Sequence, residues 1–373
     1  MDMLLETLST GEEVHFYRKS IVINFNGNRK VLSTSADNGG YREDIKAVYN
    51  HDGTIGAGIA TTLRAPTHAE HMALIASEIG LDPTTTVGIS TAAQMENVSI
   101  KSESHQEIIV TAIVTGGVET NGGRVGDPAS WDELERIKSA AQANVGGTIN
   151  IIVHINVDLS PGALARTLVT CTEAKTAALQ ELIAPSRYSM GLATGSGTDS
   201  TIIVANADSD ITLTNAGKHS KFGEIIGKAV KAAVKEALFK QSNLSPDSQH
   251  NVLKRVSRFG INSDKIWERY VENGGKAPRA KFEEFSEPML IDGPLVTYIS
   301  LYCHILDQLM WDLISVNDAI IATTELMRLM DMSLPEFEPI SQLGSGIHIL
   351  VGYLETGLCE LIARKFESDG EKS

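Results

Sequence analysis

The sequence predicts an α/β chain: a layered, mixed-sheet α+β domain at the N-terminal end, then an all-α extension. Three observations lead there. Short β-type runs bounded by Gly- and Asn-containing turns recur from Ile21 to about Ala207. Two long apolar stripes at helical spacing follow the later runs, one after Ser160 and one after His219. After Lys240-Gln241-Ser242-Asn243, β-type alternation disappears. The boundary falls there, giving an α/β domain over 1–242 and a helical domain over 243–373. A length of 373 residues exceeds the usual size of one core, and a hydrophobic share of 42% supplies two.

In chain order, the strand runs are 20–24, 86–90, 108–115, 148–157 and 201–205. The fourth alternates most clearly. Ile149, Ile151, Val153, Ile155 and Val157 share one face, while Asn150, His154, Asn156 and Asp158 share the other, interrupted by Ile152. One face is core, and the other is polar enough to line a site. Ser160-Pro161 then supplies an N-cap and a proline at the first helical position, with Leu164, Leu168, Cys171, Leu179 and Leu182 behind it. A second helix begins near His219 and carries Phe222, Ile225, Ile226, Ala229, Val230, Ala233, Val234, Ala237 and Leu238.

Ser245-Pro246 opens the helical part. A helix is expected over 264–272, a Gly-, Pro-, Lys- and Glu-rich connection over 273–292, a long apolar helical stretch over 295–329, and a final helix near 348–366. Tyr298, Leu301, Ile305, Leu309, Leu313, Ile320 and Ile321 read as the apolar faces of a hairpin or bundle, with a homodimer as the default assembly.

Composition removes several function classes. With 32 basic and 47 acidic residues the net charge is -15, which opposes attraction to nucleic acid. No run approaches the about 18 uninterrupted apolar residues of a membrane span. The N-terminus MDMLLETLSTGEEVHFYRK does not read as a secretory signal, so the cytoplasm is expected. Cys171, Cys303 and Cys359 have no close pairing and read as buried thiols. In Thr67-His68-Ala69-Glu70-His71 the histidines are one residue short of the spacing of a zinc-binding His-Glu-x-x-His helix, and no metal is assigned.

Three blocks carry the functional reading: GGTINIIVHINVDLSPGALARTLVTCTEAKTAAL from Gly146, ATGSGTDSTIIVA from Ala193, and NAGKHSKFGEIIGKAV from Asn215. In sequence, order and spacing they resemble the adenosylcobinamide amidohydrolase family (the CbiZ type), over roughly the first 240 residues. The resemblance implies hydrolysis of the amide joining aminopropanol to a propionate side chain of the corrin ring, giving adenosylcobyric acid and 1-amino-2-propanol. It makes a corrinoid the small-molecule substrate and implies no required cofactor.

Amide hydrolysis needs an attacking group, a stabilised oxyanion and a proton for the departing amine. The loop from Thr194 to Ser200 offers Thr194, Ser196 and Thr198 hydroxyls and the Asp199 carboxylate on a Gly-rich backbone. It runs into a strand, unlike the phosphate loops of nucleotide sites. His219 stands at a helix start, where the dipole favours a neutral imidazole, and is the first choice of base. Glu173 is the alternative base or the orienter of His219. Lys175 and Lys218 join Thr194 and Ser196 as substrate-binding candidates. Asn121-Gly122-Gly123-Arg124-Val125-Gly126-Asp127 resembles the family's glycine- and arginine-bearing turn, with Arg124 on the product carboxylate, Asn121 on peripheral amides and Asp127 beside them. His154 stands where the family pattern tolerates an aliphatic residue and is left out. Two alternatives stay open: a corrinoid-binding or sensing protein without hydrolysis, and an amidohydrolase on another amide with Thr172, Thr194 or Thr198 as nucleophile.

Overall fold

β-branched runs separated by tight turns fold into two stacked sheets in the computed structural model, which describes residues 2–54, 63–129, 132, 134, 147–334 and 343–369. The first sheet takes β1 (Met3–Thr7), β2 (Glu13–Tyr17), β3 (Ser20–Asn24), β6 (Ala47–Asp52) and β7 (Thr86–Thr91) in that spatial order. The second runs β5 (Gly40–Arg42), β4 (Arg29–Ser33), β14 (Ser200–Asn206), β11 (Ile149–Ile155), β9 (Ile108–Gly116), β8 (Ser99–His105). Within these sheets neighbours are antiparallel except β6 with β7 and β11 with β14, and two short ladders join β10 (Gly122–Gly123) to β13 (Gly195–Ser196) and β12 (Asp158–Leu159) to β15 (Thr212–Leu213). Parallel neighbours need a crossover, and each pair has a helix between its strands in sequence: α1 (His68–Glu78) and α2 (Pro161–Glu181).

The layers follow from which faces are apolar. Val22 and Tyr49 of the first sheet pack against Met72, Ile75 and Ala76 of α1. Ile21, Ile23, Val48, Val87 and Ile89 meet Val31, Ile113, Ile152, Ile202 and Val204 between the sheets. On the far side, Ile149, Ile151, Val153 and Ile155 pack against α2 and α3 (Lys221–Ser242). The order is helix, sheet, sheet, helix pair. Ser160 caps α2, its hydroxyl accepting the Ala163 N–H at 3.3 Å, with Pro161 at the first position. Ser220 caps α3 the same way, accepting from Gly223 at 3.0 Å. One close approach needs glycine: a Cβ at Gly88 would lie 2.2 Å from the ring of Tyr49, its register partner, whose hydroxyl donates to the Met72 carbonyl of α1 at 2.6 Å.

The polar face of β11 is not open, contrary to the expectation that it lines a site. All seven residues of β11 are buried, because the first sheet covers that face. Asn150 donates to Asn50 Oδ1 at 2.8 Å and to the Ser90 carbonyl at 3.0 Å, and Asn50 donates to Thr115 Oγ1 at 2.8 Å. His154 Nε2 lies 3.0 Å from Thr10 Oγ1 and 3.6 Å from the Glu12 carboxylate, which Arg29 Nε reaches at 2.8 Å. These bonds give partners to Asn150 Nδ2, the Asn50 amide and His154 Nε2, which could not be buried alone.

The chain divides into two compact units, Met1–Ser245 and Pro246–Ser373. The described part of the second is helical: α4 (Val252–Val256), α5 (Ser263–Glu272), α6 (Arg279–Leu290), α7 (Gly293–Met310), α8 (Val316–Leu329) and α9 (Leu343–Asp369). One expectation is corrected here and another is made specific. The segment 273–292 is not merely a connection, since α6 buries Phe282, Ser286 and Leu290 as a stripe, with Phe282 stacked on Tyr270 at 4.4 Å between centroids. The stretch 295–329 is two helices, because Asp312 takes a positive φ of 56° and Ser315 caps a new start on the Asp318 N–H. Within this unit Arg258 and Asp307 form a buried bidentate pair. The segment Gly346–Ser368 has the length and apolarity to cross a membrane, and half of it is buried inside the protein.

Burial lowers His154 from 6.5 to about 4 and acts on His51 in the same sense. The unfolded chain therefore protonates these rings below pH 6.5 while the folded chain holds them neutral down to about pH 4. Their contribution is fully present above the upper value and is lost as pH falls through that window. Urea denaturation followed from about pH 7 to about pH 5 should show declining stability of the α/β unit, and a shallower decline in His154→Leu; equal slopes would refute the assignment.

Candidate active site

A cavity of about 410 Å³ opens at one end of the sheet pair. Its position follows from the strand directions. The carboxyl end of β7 delivers Ser90 and Thr91, with Gly53 just beyond β6, while Thr148 precedes β11 and Ser200 begins β14. Thr34 and Ser35 follow β4, and the first turn of α1 brings His68 and His71 over the opening. Hydroxyls dominate the polar lining, a donor and acceptor set suited to a neutral polar group such as an amide.

One wall is the turn before β14. Asp199 Oδ1 accepts the Ile149 N–H at 2.8 Å and the Ser196 hydroxyl at 2.7 Å, while Oδ2 accepts the Ser196 N–H at 2.9 Å and the Lys175 ammonium. Gly195 makes room: a Cβ there would sit 2.4 Å from Asp199 Oδ2 and 2.8 Å from Lys175 Nζ. With four donors on two oxygens, this carboxylate fixes the loop. The hydroxyls of Thr148 and Thr198 lie 2.6 Å apart and reach the Gly147 carbonyl at 2.7 and 2.9 Å.

The opposite wall carries the imidazoles. A capping box between Thr67 and Glu70 sets the start of α1 and with it His68, whose Nε2 lies 3.1 Å from Ser90 Oγ. His68 is open to solvent on one side, yet the protein packed on the other desolvates the ring and lowers its pKa below 6.5. Its place in the first turn, where the helix dipole repels a cation, acts in the same direction. His71 is buried, and its Nδ1 accepts the Arg64 N–H at 3.2 Å, which places the ring proton on Nε2. Burial, Arg64 and His68 all lower its basicity.

The structure brings together part of the sequence-derived set. Thr198 and Asp199 line the cavity, and Ser196 and Lys175 bond to Asp199. Thr194 stands behind them, its hydroxyl accepting the Val125 N–H at 2.9 Å and its carbonyl the Thr176 hydroxyl at 3.1 Å. Asn121 is buried and donates to the Gly147 carbonyl. Asp127 accepts from the Arg124 N–H at 2.8 Å and the Ser186 hydroxyl at 2.6 Å, so these residues shape the neighbouring turn. His219, Glu173 and Lys218 lie elsewhere, exposed on the outer helical layer, where Lys218 pairs with Glu173 at 3.3 Å. Ser220 takes the capping position, which leaves His219 one residue outside the helix and facing solvent. Thr172 bonds back to the Leu168 carbonyl at 3.0 Å on an exposed face. Burial pushes the Cys171 thiol up to about 12, which suits an inert core residue.

The sequence reading passed over Ser90 and Thr148 and weighed His68 only as a metal ligand. The available signals were the Thr67-x-x-Glu70 capping box, which places His68 in a first helical turn, and Ser90 at the end of a predicted strand. Among the described residues no group of three or more His, Cys, Asp or Glu side chains is arranged to hold a metal ion.

Comparison with known proteins agrees with the extent of the α/β unit. An uncharacterized protein of Methanocaldococcus jannaschii, MJ1613, is 35% identical over 235 residues, covering 61% of this chain and 88% of that one. A protein of Methanosarcina mazei named adenosylcobinamide amidohydrolase is 27% identical over 234 residues, covering 61% and 97%. Among solved structures, the PH0078 protein of Pyrococcus horikoshii OT3 aligns over 64% of this chain and 82% of its own, with 11% identity and a TM-score of 0.28. The sequence model of one family matches residues 5–246, from the first strand to just past α3, and by that match the chain belongs to the CbiZ family, adenosylcobinamide amidohydrolase.

Proposed function

We propose that the chain hydrolyses the amide between 1-amino-2-propanol and a propionate side chain of adenosylcobinamide, releasing adenosylcobyric acid and the free amine in corrinoid salvage. The observation that carries this reading is the hydroxyl-walled cavity with an imidazole of lowered basicity at its mouth, inside the unit that the family model matches. Family membership makes the chain an amidohydrolase by name; the cavity supplies groups that such a reaction uses.

The cavity volume lies near the small end of ligand pockets, so the aminopropanol arm and its amide enter while the corrin ring stays outside. His68 is the general base toward the attacking group and returns that proton to the departing amine, whose anion is too basic to leave unprotonated. The Thr148 and Thr198 hydroxyls, which donate to the Gly147 carbonyl in the free protein, turn from it to the amide oxygen as that oxygen gains charge. Asp199 and Lys175 act through them, by holding the turn. Arg124 and Asn121 maintain the wall behind.

Purified protein incubated with adenosylcobinamide should yield adenosylcobyric acid and 1-amino-2-propanol, both measured by mass spectrometry. Tight corrinoid binding without either product would point instead to a carrier or sensor. His219→Ala and Glu173→Ala, both on the outer layer, should keep kcat/KM within about threefold, whereas His68→Ala should lower it by about 10²-fold or more. Loss of activity in His219→Ala with His68→Ala unaffected would reverse the assignment. Because desolvation lowers His68, the acid limb of the kcat/KM profile should fall below pH 6.5, activity being lost as pH drops through that limb; a limb above it would exclude His68 as the base. Asp199→Ala leaves the Lys175 charge without its carboxylate and should destabilise the α/β unit by roughly 3 kcal/mol in chemical denaturation; a change under about 0.5 kcal/mol would show the pair to be dispensable.

A further inference from the structure

We infer that Ser90 is the nucleophile of this site and that hydrolysis passes through a covalent Ser90 ester of the substrate's propionate, with His68 carrying the proton in both halves. The inference deepens the proposed amide hydrolysis and rests on it for the identity of the acyl group.

Among the described residues of the α/β unit three hydroxyl–imidazole contacts of 2.9 to 3.1 Å occur, and they are not equivalent. Ser20 faces His51 Nδ1 at 2.9 Å, but Ser20 is fully buried in the first sheet and no substrate can reach it. Thr10 meets buried His154 at 3.0 Å, and its hydroxyl is already bound to the Glu12 carboxylate. Ser90 and His68, 3.1 Å apart, both line the 410 Å³ cavity. Thr198 and Thr148 line it too, but their hydroxyls are turned to the Gly147 carbonyl, and the neighbouring Asp199 carboxylate is occupied by four donors. Neither threonine has a base beside it comparable to His68.

The backbone at Ser90 is held from both sheets. Its carbonyl accepts the Asn150 amide at 3.0 Å, and Asn150 is tied in turn to Asn50. Immediately after it, Thr91 Oγ1 accepts the Ala93 N–H at 2.9 Å and turns the chain away from the strand. A nucleophile needs such fixed placement against its base, because attack depends on near-contact geometry.

The steps balance. Ser90 Oγ bonds to the amide carbonyl carbon as its proton passes to His68 Nε2. The C–N bond then breaks, and that proton goes to the nitrogen of the leaving 1-amino-2-propanol. Water gives a proton to His68 and its oxygen to the ester carbon; the C–Oγ bond breaks, and the proton returns to Ser90. The sum is amide plus water giving acid plus amine.

The test uses the full chain with two independent readouts. A fluorophosphonate probe followed by peptide mapping should modify Ser90, at least about tenfold more slowly in His68→Ala, and this readout does not require the corrinoid to be the substrate. With adenosylcobinamide, Ser90→Ala should lose at least about 10³-fold in turnover, and acid-quenched protein should carry the acyl group on the Ser90 peptide. Ser90→Thr, which keeps a hydroxyl, serves as the second variant if Ser90→Ala does not fold by circular dichroism, and should lose at least about tenfold. Probe labelling of Ser90 that depends on His68, without corrinoid turnover, would support the nucleophile while sinking the proposed substrate. Turnover within about threefold of wild type in folded Ser90→Ala, or labelling of Ser90 unchanged by His68→Ala, would overturn the inference.

Discussion

The α/β unit depends on a carboxylate with four donors. Asp199 draws together the turn of its own loop, the first amide of the central strand β11 and the ammonium of Lys175 on α2. A buried carboxylate without such partners would be costly, and an ammonium beside an apolar sheet equally so. Because both charges are met, three segments distant in sequence share one fixed corner. The cavity wall is built on that corner, with Thr198 next to the carboxylate and Thr148 next to the amide it binds.

Strand direction explains why the cavity lies where it does. Each sheet contains one parallel pair among antiparallel neighbours, and each pair has its own intervening helix. The pairs are set so that the carboxyl ends of β6 and β7 meet the amino ends of β11 and β14. Groups that a strand can leave unpaired lie at its ends, so two sets of hydroxyl-bearing ends converge on one opening. Further in, the polar residues of β11 have no access to solvent. Asn150 and His154 instead bond across to the first sheet, which turns a face that looks functional in isolation into a cross-link between layers.

Much of the fold was legible because its signals are local. β-branched alternation marked β11, and Ser160-Pro161 marked the start of α2, since both depend only on neighbours in the chain. The failures have equally specific causes. Only one residue per turn of α6 is buried, so its stripe of Phe282, Ser286 and Leu290 is narrow, and Pro278 before it and Pro288 inside its last turn suggest a loop. The break between α7 and α8 rests on a left-handed Asp312, which hydrophobic spacing does not register. The candidate site was half legible. The Gly-rich loop around Asp199 stood out by composition, but its carboxylate proved to be committed to the backbone and Lys175. His219 looked suitable because it precedes a helix, yet the same reasoning applies to His68, and only the packing of α1 over β7 distinguishes them. Ser90 had only its place at the end of a predicted strand to mark it; its partner is 22 positions away in sequence.

Tyr49 and Gly88 sit side by side in β6 and β7, and the tyrosine ring occupies the space a Cβ at position 88 would claim. Through its hydroxyl the same ring holds the Met72 carbonyl, one turn along the helix that begins with His68. Gly88 in turn is two residues before Ser90 on the same strand. The missing side chain thus works as a spacer gauge: it sets how low the helix can seat and so the gap between imidazole and hydroxyl. Core packing and reactive geometry are measured by one ruler, and a methyl group added at its zero mark would be read at the other end.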